Sequence, residues 1–348
     1  MPLPRTRRLV RALRTARRTH DVVTASDGAA LAVTTCGDET APGERRVVVV
    51  VGAHLSAWFY RPFAHVLRVR LRELSGRDWA VDVYDRRGRG RSDAQPEDYS
   101  MDTEVTDLAA VLEHTGARQL IGHSLGGSVV LNALQQAGAL FPAELVPERT
   151  ALYDPCVNLD GAKTAQWLGR LEQAVANGQT ARGLAILQRG LESSAVLARV
   201  PEWFLTFTFA GLVATPLGRA ARRVVPTLAR ELTAALHEDD RPEDFAAVSA
   251  PVHLMCGSLS PQYFQEVVRR LHAAMPTSTF ERSPRCMHGA IPFVVEAVLT
   301  DLAEHFTAVR RALPEAGAEV IAATRDGGLA AETTALPVSA ARTPVPAA

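Results

Sequence analysis

Hydrophobic and polar residues along this chain alternate between two rhythms. Continuous or alternating apolar runs predict strands, and apolar residues three or four apart predict helices. Two strand-like runs open the pattern, His20–Thr24 and Ala30–Thr35, with Asp27-Gly28 as the turn between them. Arg46 to Val51 is β-branched almost throughout, as expected of a strand buried on both faces, and it ends at Gly52. A helix is predicted from about Ser56 to Leu74, then a strand from Trp79 to Tyr84 that ends in Asp85-Arg-Arg-Gly-Arg-Gly90. Asp102 can cap a helix whose apolar face is Val105, Leu108 and Leu112. The strand Gln119-Leu-Ile121, a helix over Ser128–Gln136 and the strand Arg149–Tyr153, ending at Asp154-Pro155, follow.

From about Val157 to Val248 the alternation stops. Trp167, Leu168, Leu171 and Val175, then Leu184, Leu187 and Leu191, then Trp203, Phe204 and Phe207, then Leu228, Leu232 and Leu236 recur at helical spacing. This is a helical insertion. Strand (Pro251–Cys256), helix (Pro261–Ala274) and strand (Thr277–Arg282) then resume, and Ile291, Val294, Val295, Val298, Leu302 and Phe306 mark a closing amphipathic helix. Strands alternating with helices predict an α/β fold with a mostly parallel, doubly wound sheet covered on both faces. The expected organisation is a basic, disordered arm over residues 1–19, a core over 20–156 and 249–312, a helical region over 157–248, and a disordered Ala/Thr/Pro-rich tail over 313–348.

Composition narrows the function. The formal net charge is zero, so nothing points to nucleic acid or an acidic partner. Lys163 is the only lysine against abundant arginine, which reads as the composition of a GC-rich bacterial genome. Seven arginines between Arg5 and Arg18 lack the apolar stretch of a secretory signal behind them, and no run has the length of a membrane span. Cys36, Cys156, Cys256 and Cys286 show no CxxC spacing, so they are expected to be reduced, packed thiols in a cytoplasmic protein rather than metal ligands.

The candidate chemistry centres on Gly122-His-Ser-Leu-Gly-Gly127, placed between a strand and a helix. Glycines around Ser124 permit a sharp turn that exposes the hydroxyl at the carboxyl end of the strand, where ligands of such sheets bind. A helix N-cap is the plainer role for a serine there. Gly52, Asp85, Asp154 and Gly257 lie at other strand ends on the same side.

Together with Tyr84-Asp-Arg-Arg-Gly-Arg-Gly-Arg-Ser92 and Met287-His-Gly289, in this order and spacing, the serine turn resembles the α/β-hydrolase superfamily over roughly residues 21–311. The resemblance implies that the helical region is that superfamily's cap, that Ser124 is a nucleophile, and that His288 is its base. It also implies that the Asp85–Gly90 loop is structural, and that no metal or organic cofactor is required. His123 is read as packing. The acid departs from the common pattern: where relatives often carry Gly-x-x-Asp, this chain has Gly257-Ser-Leu-Ser260. Some members carry the acid at the preceding strand end, which offers Asp154 for the role; the alternatives are that Ser260 supports His288, or that Asp154 caps the entry to the helical region or pairs with an arginine. The oxyanion hole is expected from the backbone N–H groups of Leu125 and Ala53, with His54 either reaching the substrate or facing solvent. Trp203, Phe204, Phe207 and Phe209 either line an acyl or aromatic pocket or pack the core of the helical region. The implied activity is a serine hydrolase acting on a small-molecule carboxylic ester or thioester through an acyl-enzyme. Acyl transfer with the same nucleophile is one alternative. A non-catalytic binding protein, suggested by Ser260 at the acid position, is another.

Overall fold

The computed structural model describes residues 18–53, 55–140, 146–160, 167–190, 200–237 and 240–308. The arm up to residue 17, His54, and the tail from residue 309 lie outside them. The chain forms two units, residues 1–309 and 310–348, and every element described belongs to the first.

Among the described residues, eight strands form one sheet in the order β1-β2-β4-β3-β5-β6-β7-β8. They are β1 (Arg18–Thr24), β2 (Ala30–Gly37), β3 (Arg46–Val50), β4 (Ala80–Tyr84), β5 (Gln119–His123), β6 (Arg149–Tyr153), β7 (Val252–Gly257) and β8 (Ser278–Ser283). The β1–β2 and β2–β4 pairs are antiparallel and the rest are parallel. The first two residues of β1, Arg18 and Thr19, pair with Cys36 and Thr35 and so extend the sheet into what the sequence reads as the basic arm.

β3 shows why the strands read as they do. Val47, Val49 and Val51 face one core, and Val48 and Val50 face the other. All five are fully buried, and each such valine contributes roughly 1.5–3 kcal/mol relative to an exposed one. Helices α1 (Ala57–Ser75) and α9 (Glu296–Thr307) cover one face. Helices α2 (Met101–Thr115), α3 (Leu125–Gln135) and α8 (Gln262–Ala274) cover the other. Between β6 and β7 lie α4 (Leu168–Ala176), α5 (Thr180–Gly190), α6 (Glu202–Ala214) and α7 (Pro216–His237). Leu228, Leu232 and Leu236 of α7 are buried in the same core as α3.

Three local expectations need correction. The N-cap of α2 is Ser100, not Asp102; the Ser100 N–H donates to Thr103 Oγ1 at 3.3 Å, and Asp102 sits in the first turn. Helix α3 begins at Leu125, three residues before the expected start, because the turn at Ser124 leads straight into it. The last helix begins at Glu296, so Ile291, Val294 and Val295 belong to the approach, where Val294 is left-handed at φ 60°.

Candidate active site

The loops that follow β3, β5, β6, β7 and β8 all emerge at the carboxyl end of the parallel sheet, and they bring the candidate residues together. Ser124 follows β5 with φ 55° and ψ −123°, outside the regions L-residues favour. The turn holds because its surroundings over-determine it. The Ser124 N–H donates to the Tyr153 carbonyl at 3.1 Å, and the Ser124 carbonyl accepts from Gly127 at 2.8 Å and from Cys156 at 3.0 Å. A Cβ on Gly126 would lie 2.2 Å from the Val50 carbonyl oxygen, and one on Gly122 would lie 2.7 Å from Gly127 Cα. Only glycine lets α3 pack this closely against β3 and β5. Ser124 occupies the N-cap position of α3, yet its side chain makes no capping hydrogen bond. Instead, its Oγ lies 3.1 Å from His288 Nε2.

His288 opens a short 3-10 turn, His288–Ala290, between β8 and α9. Its Nδ1 lies 3.0 Å from Asp154 Oδ2. A carboxylate oxygen only accepts, so Nδ1 carries the proton and the Nε2 lone pair is left for the Ser124 hydroxyl. Phe264 of α8 stacks on the imidazole with ring centroids 4.2 Å apart and planes 15° from parallel.

Asp154 follows β6 in a left-handed conformation (φ 47°) and is fully buried. Its carboxylate is held from several sides. Ser260 Oγ donates to Oδ2 at 2.5 Å and the Gly257 N–H donates to Oδ1 at 3.3 Å. Ser260, at the position where relatives often carry the acid, therefore binds the carboxylate of Asp154. The sequence offers a signal for this in hindsight, since the Gly-x-x-Ser spacing delivers a short hydroxyl to the usual acid's place. Burial, followed by the charge of Asp154, pushes the Cys256 thiol up to about 11. The same two causes hold the Tyr153 phenol well above its ordinary range. Both stay protonated at neutral pH.

A second hydrogen-bonded chain, unread in the sequence, runs beneath these residues. The Gly52 N–H donates to Tyr60 Oη at 3.0 Å, Tyr60 Oη lies 2.5 Å from His123 Nδ1, and His123 Nε2 lies 2.8 Å from the His288 carbonyl oxygen. That carbonyl only accepts, so His123 is protonated on Nε2 and takes the Tyr60 proton as an acceptor at Nδ1. Burial raises the Tyr60 phenol, which keeps it a donor. His123 thus fastens the His288 turn rather than facing the Ser124 hydroxyl.

The expected oxyanion donors also flank Ser124. A Cβ on Gly52 would lie 3.2 Å from Ser124 Cβ, which sets the Gly52–Ala53 peptide against the serine turn. Leu125 is the first residue of α3, where N–H groups have no partner in their own helix.

The Asp85–Gly90 loop is a scaffold. Asp85 Oδ1 accepts the Ala57 N–H at 2.7 Å, starting α1. Arg87 binds Asp107 and Asp27, and Arg86 binds Glu104. Trp203, Phe204 and Phe207 do not pack a core, since they are 72 %, 49 % and 75 % exposed. A cavity of about 610 Å³ lined by Arg182, Thr206, Val213 and Arg222 lies among the inserted helices, and none of its lining residues belongs to the Ser124 cluster. The four cysteines are buried free thiols.

A sequence model of the alpha/beta hydrolase family matches residues 47–304, a span that includes the serine turn and His288. The chain belongs to the alpha/beta hydrolase family. Its fold is similar to that of an alpha/beta hydrolase from Sphaerobacter thermophilus (TM-score 0.62, 23 % identity, 82 % of this chain and 100 % of that one). It is also similar to that of an esterase from Exiguobacterium antarcticum (TM-score 0.58, 18 % identity, 83 % and 99 %). At these identities the likeness concerns the fold alone. A non-heme haloperoxidase from Rhodococcus erythropolis is 40 % identical over 65 residues, 18 % of this chain, and the match spans only 24 % of that relative. Family membership thus rests on the motif-bearing core. Among the described residues, no helix is long and apolar enough to cross a membrane.

Proposed function

We propose that this protein is a serine hydrolase that cleaves a small-molecule carboxylic ester or thioester, with Ser124 as nucleophile, His288 as base and Asp154 as acid. The observation that carries the proposal is the unbroken chain from Asp154 Oδ2 through both ring nitrogens of His288 to Ser124 Oγ, with contacts of 3.0 and 3.1 Å. The Exiguobacterium antarcticum protein of similar fold is itself an esterase.

In this reading Ser124 Oγ attacks the substrate carbonyl while His288 Nε2 takes its proton. The imidazolium that forms faces Asp154, and the tetrahedral oxyanion faces the N–H groups of Ala53 and Leu125. His288 returns the proton to the leaving alcohol or thiol as the bond to it breaks. Water, activated by the same histidine, then releases the acid from Ser124. The inserted helices serve as a cap over the site, and the buried free thiols fit a reducing, cytoplasmic setting.

A fluorophosphonate probe tests this. Stoichiometric labelling of the wild-type protein, its loss in Ser124→Ala, and hydrolysis of p-nitrophenyl esters of some chain length are the expected results. A folded wild-type protein that neither labels nor hydrolyses any of the esters would refute the assignment.

A further inference from the structure

Arg89 lies in the loop after β4 and is among the largest fully buried side chains of the protein. One of its nitrogens, Nη1, donates to the carbonyl oxygens of Gly52 at 2.9 Å and of Leu55 at 2.8 Å. It therefore grips the loop after β3 on both sides of Ala53. Its Nη2 forms an ion pair with Glu231 Oε1 of α7, at an angle outside that of a hydrogen bond. Glu231 is itself buried, and its other oxygen lies 3.7 Å from Arg86 Nη1. Arg86 is occupied in turn by Glu104, through contacts of 2.8 and 2.7 Å. Two guanidinium groups and two carboxylates thus balance one another out of reach of water. Buried charges persist only with such compensation.

The placement has a consequence for the Gly52–Ala53 peptide. A trans peptide is planar, with its C=O and N–H pointing in opposite directions, and the described chain contains no cis bond. Fixing the Gly52 carbonyl on Arg89 therefore fixes the direction of the Ala53 N–H, away from Arg89. The Gly52 N–H is pinned separately by Tyr60 Oη at 3.0 Å, so both ends of this residue are held. Among the described residues the Ala53 N–H has no acceptor of its own.

We infer that Arg89, neutralised by Glu231 of the inserted helix α7, is a positioning residue that aims the Ala53 N–H at the oxygen of the reacting carbonyl. This rests on the reading of Ser124 as nucleophile. Arg89 touches no substrate; it acts through the peptide it holds. The cap helix contributes to the oxyanion site in this way without entering it.

The test uses the full-length protein, p-nitrophenyl esters and a fluorophosphonate. Arg89→Lys keeps the charge but loses the planar fork. Arg89→Met combined with Glu231→Leu removes both charges, so no buried ion is stranded if the single variant fails to fold. Loss of one oxyanion donor costs on the order of 10²- to 10³-fold in kcat. The expected result is a kcat lower by about tenfold to a hundredfold in Arg89→Lys, and lower still in the double variant. KM should stay within about twofold, and phosphonylation should slow in parallel because the phosphoryl oxygen occupies the same site. A folded variant whose melting temperature falls while kcat and phosphonylation stay at wild-type values would make Arg89 merely structural and overturn the inference. Failure of the nucleophile assignment would show separately, as a wild-type protein that does not label at all.

Discussion

Replacing Asp154 by asparagine separates charge from shape at the candidate acid. Asparagine tolerates the left-handed backbone that residue 154 adopts (φ 47°), so the turn is preserved. Two orientations of the amide are possible, and both are harmful. With its oxygen toward the Gly257 N–H, the amide nitrogen faces Ser260 and His288 and donates to Nδ1. That moves the imidazole proton to Nε2, where it blocks acceptance of the Ser124 proton. With the oxygen toward His288 the tautomer survives, but the charge that stabilises the imidazolium is gone. Two unit charges at the observed 3.0 Å attract by about 5.5 kcal/mol at an effective dielectric constant of about 20, or roughly four powers of ten in rate. His288 is 30 % exposed, so solvent screening makes this an upper bound and about 10³- to 10⁴-fold is expected. Initial rates with a p-nitrophenyl ester at pH 8 measure the loss, with Ser124→Ala as background and circular dichroism as the control for folding. A folded Asp154→Asn protein retaining kcat within tenfold of wild type would show that another group supports His288.

Restoring a carboxylate at the neighbouring position tests the same logic from the other side. In the Asp154→Asn background, Ser260→Asp should recover at least tenfold of the lost kcat, because Ser260 Oγ lies 2.5 Å from the missing carboxylate oxygen; no recovery would mean that His288 cannot be served from that strand end. Gly126→Ala should abolish soluble expression or lower stability by more than about 4 kcal/mol, since its Cβ would meet the Val50 carbonyl oxygen at 2.2 Å; a normal thermal melt would contradict the packing described. His253 and His305 stack at 5.0 Å, and burial, as the largest cause, lowers them to about 4 and about 3. Below pH 6.5 the unfolded chain binds protons that these half-buried rings refuse, so stability should fall as pH drops from 6.5 through about 4, by a few kcal/mol. His305→Phe keeps a stacked ring and should flatten that decline in urea unfolding; an unchanged slope would refute the assignment.

The local signals were strong where the chain repeats a simple physical constraint. β3 buries both faces, so its β-branched run is legible without a partner in view. The strand ends and most helix limits fall within a few residues of the periodicity. The exceptions are instructive: α3 starts early because the strained Ser124 turn lets the helix begin at once, and Trp203, Phe204 and Phe207 of α6 face outward although their spacing resembles a core stripe. Helical periodicity shows which residues share a face, not what that face meets.

By itself the sequence determined the α/β alternation, the inserted helices and the glycine-flanked turn at Ser124, because each depends on neighbours a few positions apart. Only the tertiary structure shows which side chains meet His288. Asp154 is 134 residues away from it, and Ser260 reaches Asp154 across 106 residues, so no local pattern could pair them. The same holds for Arg89, which meets the Gly52 carbonyl 37 residues before it and Glu231 of the inserted helix α7. These contacts arise where separate strand ends converge at the carboxyl end of the sheet. There burial removes competing water and makes each pairing of charge and donor obligatory.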